Sequence, residues 1–379
     1  MNQKGRTVKS VGNYNNKLVM RLLLDRPYSC KEISERIYLT HPAAGLIVER
    51  LLEGNLIEIF SEREEKRKKG GQHIRYTVNK NRAYFICVYL IEGVEKFTVY
   101  NLQGETLYGE NLETRFIDRE YVENLSEKID LALEKLNIEK GSVANLSFAI
   151  AGRVDAFTGD VIMSWKMGKD VNLKTAFAQK FENTSIDIIN DCTYAFYGSM
   201  LTGECDYEKG SHMFLYVDFA LSCCLVYEGK PVTGATGFGG EVGQNFVAGS
   251  DKRFGDQTSI PRLLTLGREC LKNPEATLEE VMEASYTHHA IKRVFTETGE
   301  KIGGLLKNII DIAGCTHVVF CGSVIKYPKY FFDVVERALY DKEYSDNLQY
   351  KLEFSKVTPA MGQLYMSRLH SIDWLVAGK

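Results

Sequence analysis

At 379 residues the chain is long enough for two or three domains and a sizeable buried core. Hydrophobic residues at 44% and charged residues at 26% are ordinary for a globular protein, and no run of about 18 apolar residues is present to cross a membrane as a helix. The net charge of -3 conceals an asymmetry: residues 1–80 hold 16 lysines and arginines against 9 acidic residues, a net of +7, and the remainder carries -10.

A basic head on an acidic body points to a polyanionic partner for the head alone. The N-terminal stretch MNQKGRTVKSVGNYNN is polar and basic, without the apolar core of a secretory signal. The nine cysteines are scattered with no CxxC pair. Reduced thiols in the cytoplasm are therefore expected.

The first predicted element is a helix in NNKLVMRLLLDRP, with Leu18, Leu22 and Leu23 on one face and Pro27 beyond its end. Ser29 followed by Glu32 forms a capping box that opens a second helix, SCKEISERI. Tyr38 and Leu39 make a turn. Thr40 caps a third helix, HPAAGLIVERLLE, which Gly54 stops. NLIEIF and HIRYTVN read as strands flanking the charged tip SEREEKRKKGGQ, a wing. The whole is a winged helix-turn-helix over residues 1–80. Such a bundle can also bind protein; the basic excess and the wing favour double-stranded DNA. Lys66, Arg67, Lys68, Lys69 and Arg75 are the candidate phosphate contacts, and Thr40, His41 and Ala43 the residues expected to face the major groove. Gly45 and Leu46 are poor base readers, so wing contacts or DNA shape are expected to contribute to specificity.

From residue 81 the pattern becomes α/β. YFICVYLI and KFTVYNL form a hairpin across Glu92-Gly93-Val94-Glu95, and residues 119–137 form an amphipathic helix. ANLSFAIAG and SIDIIND are buried strands, the second ending in Asn190-Asp191. MFLYVDFALSCCLVYEGKPV reads as a second long hairpin with Glu228-Gly229 as its turn. GEKIGGLLKNIIDIAG is a helix with Ile302, Leu305, Leu306, Ile309 and Ile310 on one face, and THVVFCGS a strand ending in a glycine turn. Two hairpin-led α/β halves in succession predict two lobes, about 81–191 plus the C-terminal helix and about 192–355.

Asp191, at the end of an apolar strand, is a candidate base for a hydroxyl, and Asn190 a hydrogen-bonding partner for a polyol. The segment GFGGEVGQ, residues 237–244, carries one charge, Glu241. Glycines there let backbone approach a ligand closely. A carboxylate repels phosphate but accepts hydrogen bonds from sugar hydroxyls, so the segment reads as a sugar clamp. Taken singly, Asp191 and Glu241 fit a turn cap and a surface acid equally well.

The ordered set of motifs resembles the ROK family of repressors, open reading frames and sugar kinases, and specifically its regulator branch. AGRVDAFTGDVIMS resembles the strand and loop leading to the family's sugar site, IINDCTYAFYG its Asn-Asp motif, and GATGFGGEVGQ its glycine-glutamate stretch. CGSV and VTPAMGQLYMSRLH resemble its late glycine pair and closing strand and helix. The resemblance implies an actin-like, hexokinase-type body of two lobes (residues 81–379), assembled as a homodimer or tetramer. It implies that Asn190, Asp191 and Glu241 line the sugar site with Gly152 and Gln244, and that Asp191 is the catalytic base where a member is a kinase.

Gln244 stands where the family carries a histidine, and no cysteine falls between Cys224 and Cys270, so no zinc is expected. The two hairpins that would hold ATP read LIEGVEKFT and DFALSCC, the latter without glycine. Kinase activity and ATP binding are therefore not expected. The expected function is a cytoplasmic, sugar-responsive transcriptional regulator, a repressor that senses a sugar or sugar phosphate. The alternatives are a hexose kinase with a fused head and a ligand-free dimeric DNA-binding scaffold.

Overall fold

The computed structural model describes residues 8–378 apart from 61–73, 92–93, 114–115, 156, 165–170, 204, 236, 238, 248, 316 and 341–350. The head comprises α1 (Val8–Leu23), β1 (Tyr28–Ser29), α2 (Cys30–Arg36), α3 (His41–Glu53), β2 (Ile57–Phe60) and β3 (Arg75–Val78). The capping box forms as expected: Ser29 Oγ accepts from the Glu32 backbone N–H, and the Glu32 carboxylate accepts from the Ser29 N–H at 2.8 Å. Helix α1 starts well before the predicted segment. Of its predicted face only Leu23 is fully buried; Val19, Met20 and Leu24 complete the buried side, and Leu18 and Leu22 are half-buried. Strand β1 is not expected from the sequence: it is two residues long, pairs with β3 and orders the sheet β1-β3-β2.

The rest of the chain supplies β4 (Tyr84–Ile91), β5 (Val94–Asn101), β6 (Thr106–Asn111), α4 (Arg119–Lys135), β7 (Val143–Ile150), β8 (Gly152–Val154), β9 (Val161–Ser164), α5 (Leu173–Lys180) and β10 (Ser185–Asn190). Then come α6 (Asp191–Thr202), β11 (Ser211–Val217), β12 (Leu221–Tyr227), β13 (Lys230–Pro231), α7 (Phe254–Thr258), α8 (Ile260–Leu271), α9 (Leu278–Ala284) and α10 (His289–Ala313). The chain closes with β14 (His317–Cys321), α11 (Lys329–Leu339), β15 (Lys351–Ser355) and α12 (Pro359–Ala377).

Two compact units emerge. One holds residues 1–148, 166–188 and 364–379; the other holds 149–165 and 189–363. Each contains a five-stranded sheet with the same internal order, β6-β5-β4-β7-β10 in the first and β13-β12-β11-β14-β15 in the second. In each, an antiparallel meander leads and two later strands add beside its first strand, as two hairpin-led halves require. The second hairpin turns earlier than the sequence suggests. Its turn is Asp218-Phe219-Ala220, between β11 and β12, and Glu228-Gly229 instead joins β12 to the short β13. The apolar run Leu221–Val226 continues past the polar turn, so hydropathy alone does not expose the break.

The second sheet is buried on both faces. Met213, Leu215, Val217, Val318 and Phe320 join a core with α8, α10 and α11, while Phe214, Tyr216, Val319 and Cys321 join a second core with α6. The alternation follows from the two-residue period of a strand. Helix α10 begins at His289, earlier than predicted, and buries Ile302, Leu305, Leu306 and Ile310 as expected.

In the first unit the head does not close on itself. Val19, Met20, Leu23, Ile47, Val48, Leu51 and Ile57 share one apolar cluster with Ala83, Leu102, Ile372, Trp374 and Leu375. Polar contacts frame it. Asp373 accepts from Arg21 at 2.9 Å and pairs with Lys17 at 3.2 Å. Arg368 donates to the Leu24 carbonyl at 2.8 Å, and Trp374 Nε1 donates to the Asn183 carbonyl at 2.5 Å. The end of α12 is thus part of the head's core. Trp374→Ala is expected to cost about 3 kcal/mol and to expose the head to protease before the rest of the chain. Limited proteolysis and a thermal melt check it; a head no more sensitive than in the parent protein would refute the shared core.

Candidate functional site

In the head, Thr40 sits at the N-cap of α3 with its hydroxyl accepting from the Ala43 N–H at 3.4 Å, so that oxygen serves the helix first. Thr40 and His41 are exposed and Ala43 is half-buried. Arg75 lies on β3 opposite Ser29, and its guanidinium reaches Glu32 at 4.0 Å. The Glu32 carboxyl is held below its ordinary range, first by the Ser29 backbone N–H and then by the Ser29 hydroxyl, Arg75 and Arg26. Lys66, Arg67, Lys68 and Lys69, predicted as phosphate contacts at the wing tip, lie outside the described residues. Two arginines that the sequence pattern does not single out are ordered here: Arg26 and Arg36 stack on the Tyr28 ring at 4.3 and 5.0 Å from its centroid. Tyr28 itself is fully buried and donates to Asp25 at 2.9 Å.

In the second unit Asn190, Asp191 and Gly152 meet at the start of α6, and the charge of Glu241 reaches Asp191, while Gln244 is bonded elsewhere. Asn190 is the N-cap: its Oδ1 accepts from the Cys192 and Thr193 N–H groups at 2.9 and 3.4 Å, and its Nδ2 donates to the Gly152 carbonyl at 2.6 Å. That bond ties β8 to the helix start. Asp191 is the first helical residue, not the last of the strand as expected from sequence, because Asn190 already caps the helix. The side chain of Asp191 is buried and accepts from the Cys192 N–H at 2.9 Å.

Burial pushes the Asp191 carboxyl up to about 7 against the restraining Cys192 N–H, and the negative charges of Asp218 and Glu241 push it the same way. Glu241 is half-buried and also raised by burial, partly offset by the Arg153 guanidinium. Asp191, Asp218, Glu241 and Arg153 therefore form one electrostatic group. Asp218 and Arg153 are not among the residues expected from sequence. The signal is present: a charge inside the hairpin DFALSCC and a charge inside GRVD.

Three glycines of GFGGEVGQ are required by the protein's own backbone. A Cβ at Gly239 would lie 2.1 Å from the Val232 carbonyl oxygen, at Gly240 2.0 Å from that of Cys223, and at Gly243 2.4 Å from that of Leu221. The segment is pressed against the backbone of its own hairpin, not left open. That packing places Glu241 at the entrance to the 3-10 turn Val242–Gln244. Gln244 accepts from the Arg253 guanidinium. In the turn after β11, half-buried Asp218 accepts from the Ser323 hydroxyl at 3.3 Å and from the Tyr216 hydroxyl at 3.5 Å. The other hairpin turn, Glu92-Gly93, lies outside the described residues.

Comparison with known proteins gives the same outline. Residues 92–363 match the ROK family. A xylose repressor from Caldicellulosiruptor bescii is 22% identical over 371 residues, covering 90% of this chain and 92% of its own. The crystal structure of a ROK family transcriptional regulator, described as a homologue of the Escherichia coli MLC protein, superposes with a TM-score of 0.76 at 16% identity, covering 97% of this chain and 98% of its own. A putative sugar kinase from Cytophaga hutchinsonii superposes with a TM-score of 0.62 at 19% identity, covering 98% of its own length but 75% of this chain. The fold is a helical, winged head on an actin-like, kinase-type body. Among the described residues no helix is long and apolar enough to cross a membrane.

The buried carboxyl has a measurable consequence. Raised from 3.8 to about 7, it holds its proton more tightly in the folded chain, so its contribution to stability is full below about pH 4 and is lost as pH rises through 7. Asp191→Asn is expected to flatten the decline between pH 4 and 8, with a gain of up to about 4 kcal/mol at the upper end. Asp218 and Glu241 leave a residual slope of the same sign. Denaturant titrations across that range decide it; parallel curves for the two proteins would refute it. Gly240, at φ 95°, has no room for a side chain, so Gly240→Ala is expected to cost about 3 kcal/mol by the same titration at neutral pH.

Proposed function

The chain belongs to the ROK family, and from that premise we propose that it is a sugar-responsive transcriptional repressor without kinase activity. The head binds a palindromic operator as part of a dimer. The group around Asn190, Asp191 and Glu241 binds a sugar or sugar phosphate through its hydroxyls, and occupancy changes operator affinity. Gly152 holds Asn190 in place, and Gln244 stands beside Glu241.

The observation that carries the non-enzymatic half is Asp218. Phosphoryl transfer depends on positioning by backbone N–H groups and cations at the phosphate. In the turn after β11 a half-buried carboxylate is tied to Ser323, and like charge opposes a nucleotide's phosphates. Asp191 then acts as a hydroxyl partner: near neutral pH it is poised between donor and acceptor, which suits a polyol. Zinc does not fit the residues present. Gln244 is an amide already paired with a guanidinium, a poor ligand with a cation beside it. The regulatory half is supported by coverage: the regulator structure spans 97% of this chain, head included, where the sugar kinase spans 75%.

A thermal-shift screen with neutral sugars, their phosphates and ATP tests this reading, with xylose in the panel because a relative is a xylose repressor. A sugar at 100 times its Kd is expected to add about 2.7 kcal/mol of stability, and ATP none. ADP release with each sugar is expected to stay at background. A sugar-dependent release of ADP would restore the kinase reading, and a panel that shifts nothing would leave a DNA-binding scaffold.

A further inference from the structure

The turn and third helix of the head present an unusual surface for reading DNA. Between Ile37 and Glu49 the sequence contains no lysine, arginine, asparagine or glutamine. These are the residues that make paired hydrogen bonds to guanine or adenine edges in the major groove. Past His41, exposed at the helix start, the first turns of α3 and the turn before it are apolar: Leu46 is 63% exposed and Tyr38 94% exposed, with Pro42 exposed between them, while Arg50, one turn after Leu46, has its guanidinium close to Gly12 of α1. Tyr38 is held outward by a left-handed backbone, φ 56°, a conformation uncommon for a tyrosine. At Gly45 a Cβ would meet nothing within 4 Å, so the helix surface beside Leu46 is low and open. Thr40 commits its oxygen to the cap. Leu46 is placed in the middle of α3, on the side opposite buried Ala44, Ile47, Val48 and Leu51.

Two guanidiniums are exposed elsewhere in the helix-turn-helix, among acids that include Glu32 and Glu35. Arg36 closes α2 just before the turn, and Arg26 precedes β1; both are exposed and both stack on Tyr28. Stacking on an aromatic ring restrains a guanidinium while leaving its N–H groups unspent, which suits a phosphodiester. In a helix-turn-helix the first helix lies across the DNA backbone while the second enters the groove. The net charge of +7 over residues 1–80 suits the same occupant.

We propose that the head identifies its operator through thymine methyl groups contacted by Leu46, while Arg26 and Arg36 grip the flanking phosphates. The C5-methyl of thymine is the apolar group that base edges present in the major groove, and an aliphatic side chain can recognise it without a hydrogen bond. This deepens the operator-binding reading above and rests on it.

The test uses the full-length protein. Operator duplexes are selected from a randomised pool, then resynthesised with deoxyuridine in place of thymine, which removes the methyl alone. Affinity is expected to fall roughly fourfold for each thymine that Leu46 touches, the worth of one buried methyl group. Leu46→Ala, at an exposed position, keeps the parent melting temperature, binds the thymine duplex more weakly, and no longer distinguishes the two duplexes. The double variant R26Q/R36Q weakens both duplexes equally and lowers the slope of log affinity against log salt by roughly 0.9 for each phosphate no longer neutralised. Equal affinity for the two duplexes, or a Leu46→Ala protein that keeps the full difference, overturns the methyl recognition. An unchanged salt slope in R26Q/R36Q overturns the phosphate grip. A pool that yields no bound sequence would instead overturn the operator-binding reading itself.

Discussion

Asp373 and Trp374, close to the end of the chain, hold helix α1, close to its beginning. The aspartate takes Lys17 and Arg21, and the tryptophan enters the apolar cluster that contains Val19, Met20 and Leu23. A small three-helix head has little interior of its own, and small domains bury too small a fraction of their surface to be robust alone. Here the deficit is met by the last helix and by Ala83 and Leu102 from the adjoining sheet. The position of α3, and so of any DNA contact, depends on that shared core.

The same helix carries a second group of constraints. Arg368 is half-buried and donates to the carbonyls of Leu24 and Leu102, which joins the exit of α1 to the turn after β5. His370 meets Asp187 at 2.5 Å, and Asp187 also accepts from Asn145. Asp187 lies on β10, three residues before Asn190. Burial opposes a charge on His370, yet its hydrogen bond and attraction to Asp187 prevail and raise its pKa. Strand β10 is therefore anchored in the first unit by an ion pair.

At the start of α6 the balance runs the other way. Asp191 is buried beside two further carboxylates with one guanidinium, Arg153, near Glu241, so its charged form is disfavoured. A structural surface acid would not be arranged so; perturbed carboxyls of this kind concentrate at functional sites. The cost is maintained by close backbone packing. Gly239, Gly240 and Gly243 permit the segment to lie against the carbonyls of β12 and its neighbours, which holds Glu241 where it raises Asp191.

Local chemistry is legible in the sequence. The Ser29–Glu32 box, the Thr40 cap, the wing strands, the apolar face of α10 and the ordered Asn190-Asp191 and Glu241 motifs all depend on spacing within a few residues. What the sequence determined by itself was therefore the winged head, the two hairpin-led halves and the family resemblance. Tertiary structure alone decided the rest, because it depends on groups far apart in the chain. Leu18 and Val19 are both strongly apolar, and only packing against α3 and the end of α12 selects which side of α1 is buried. Arg26 and Arg36 are ordinary surface charges until both meet the ring of Tyr28 in space. Asp218 is a turn residue until Ser323 reaches it from 105 positions away. The glycines around Glu241 look like room for a ligand, and are room for the protein's own backbone. Burial and electrostatic coupling are properties of packed neighbours, and no local pattern encodes them.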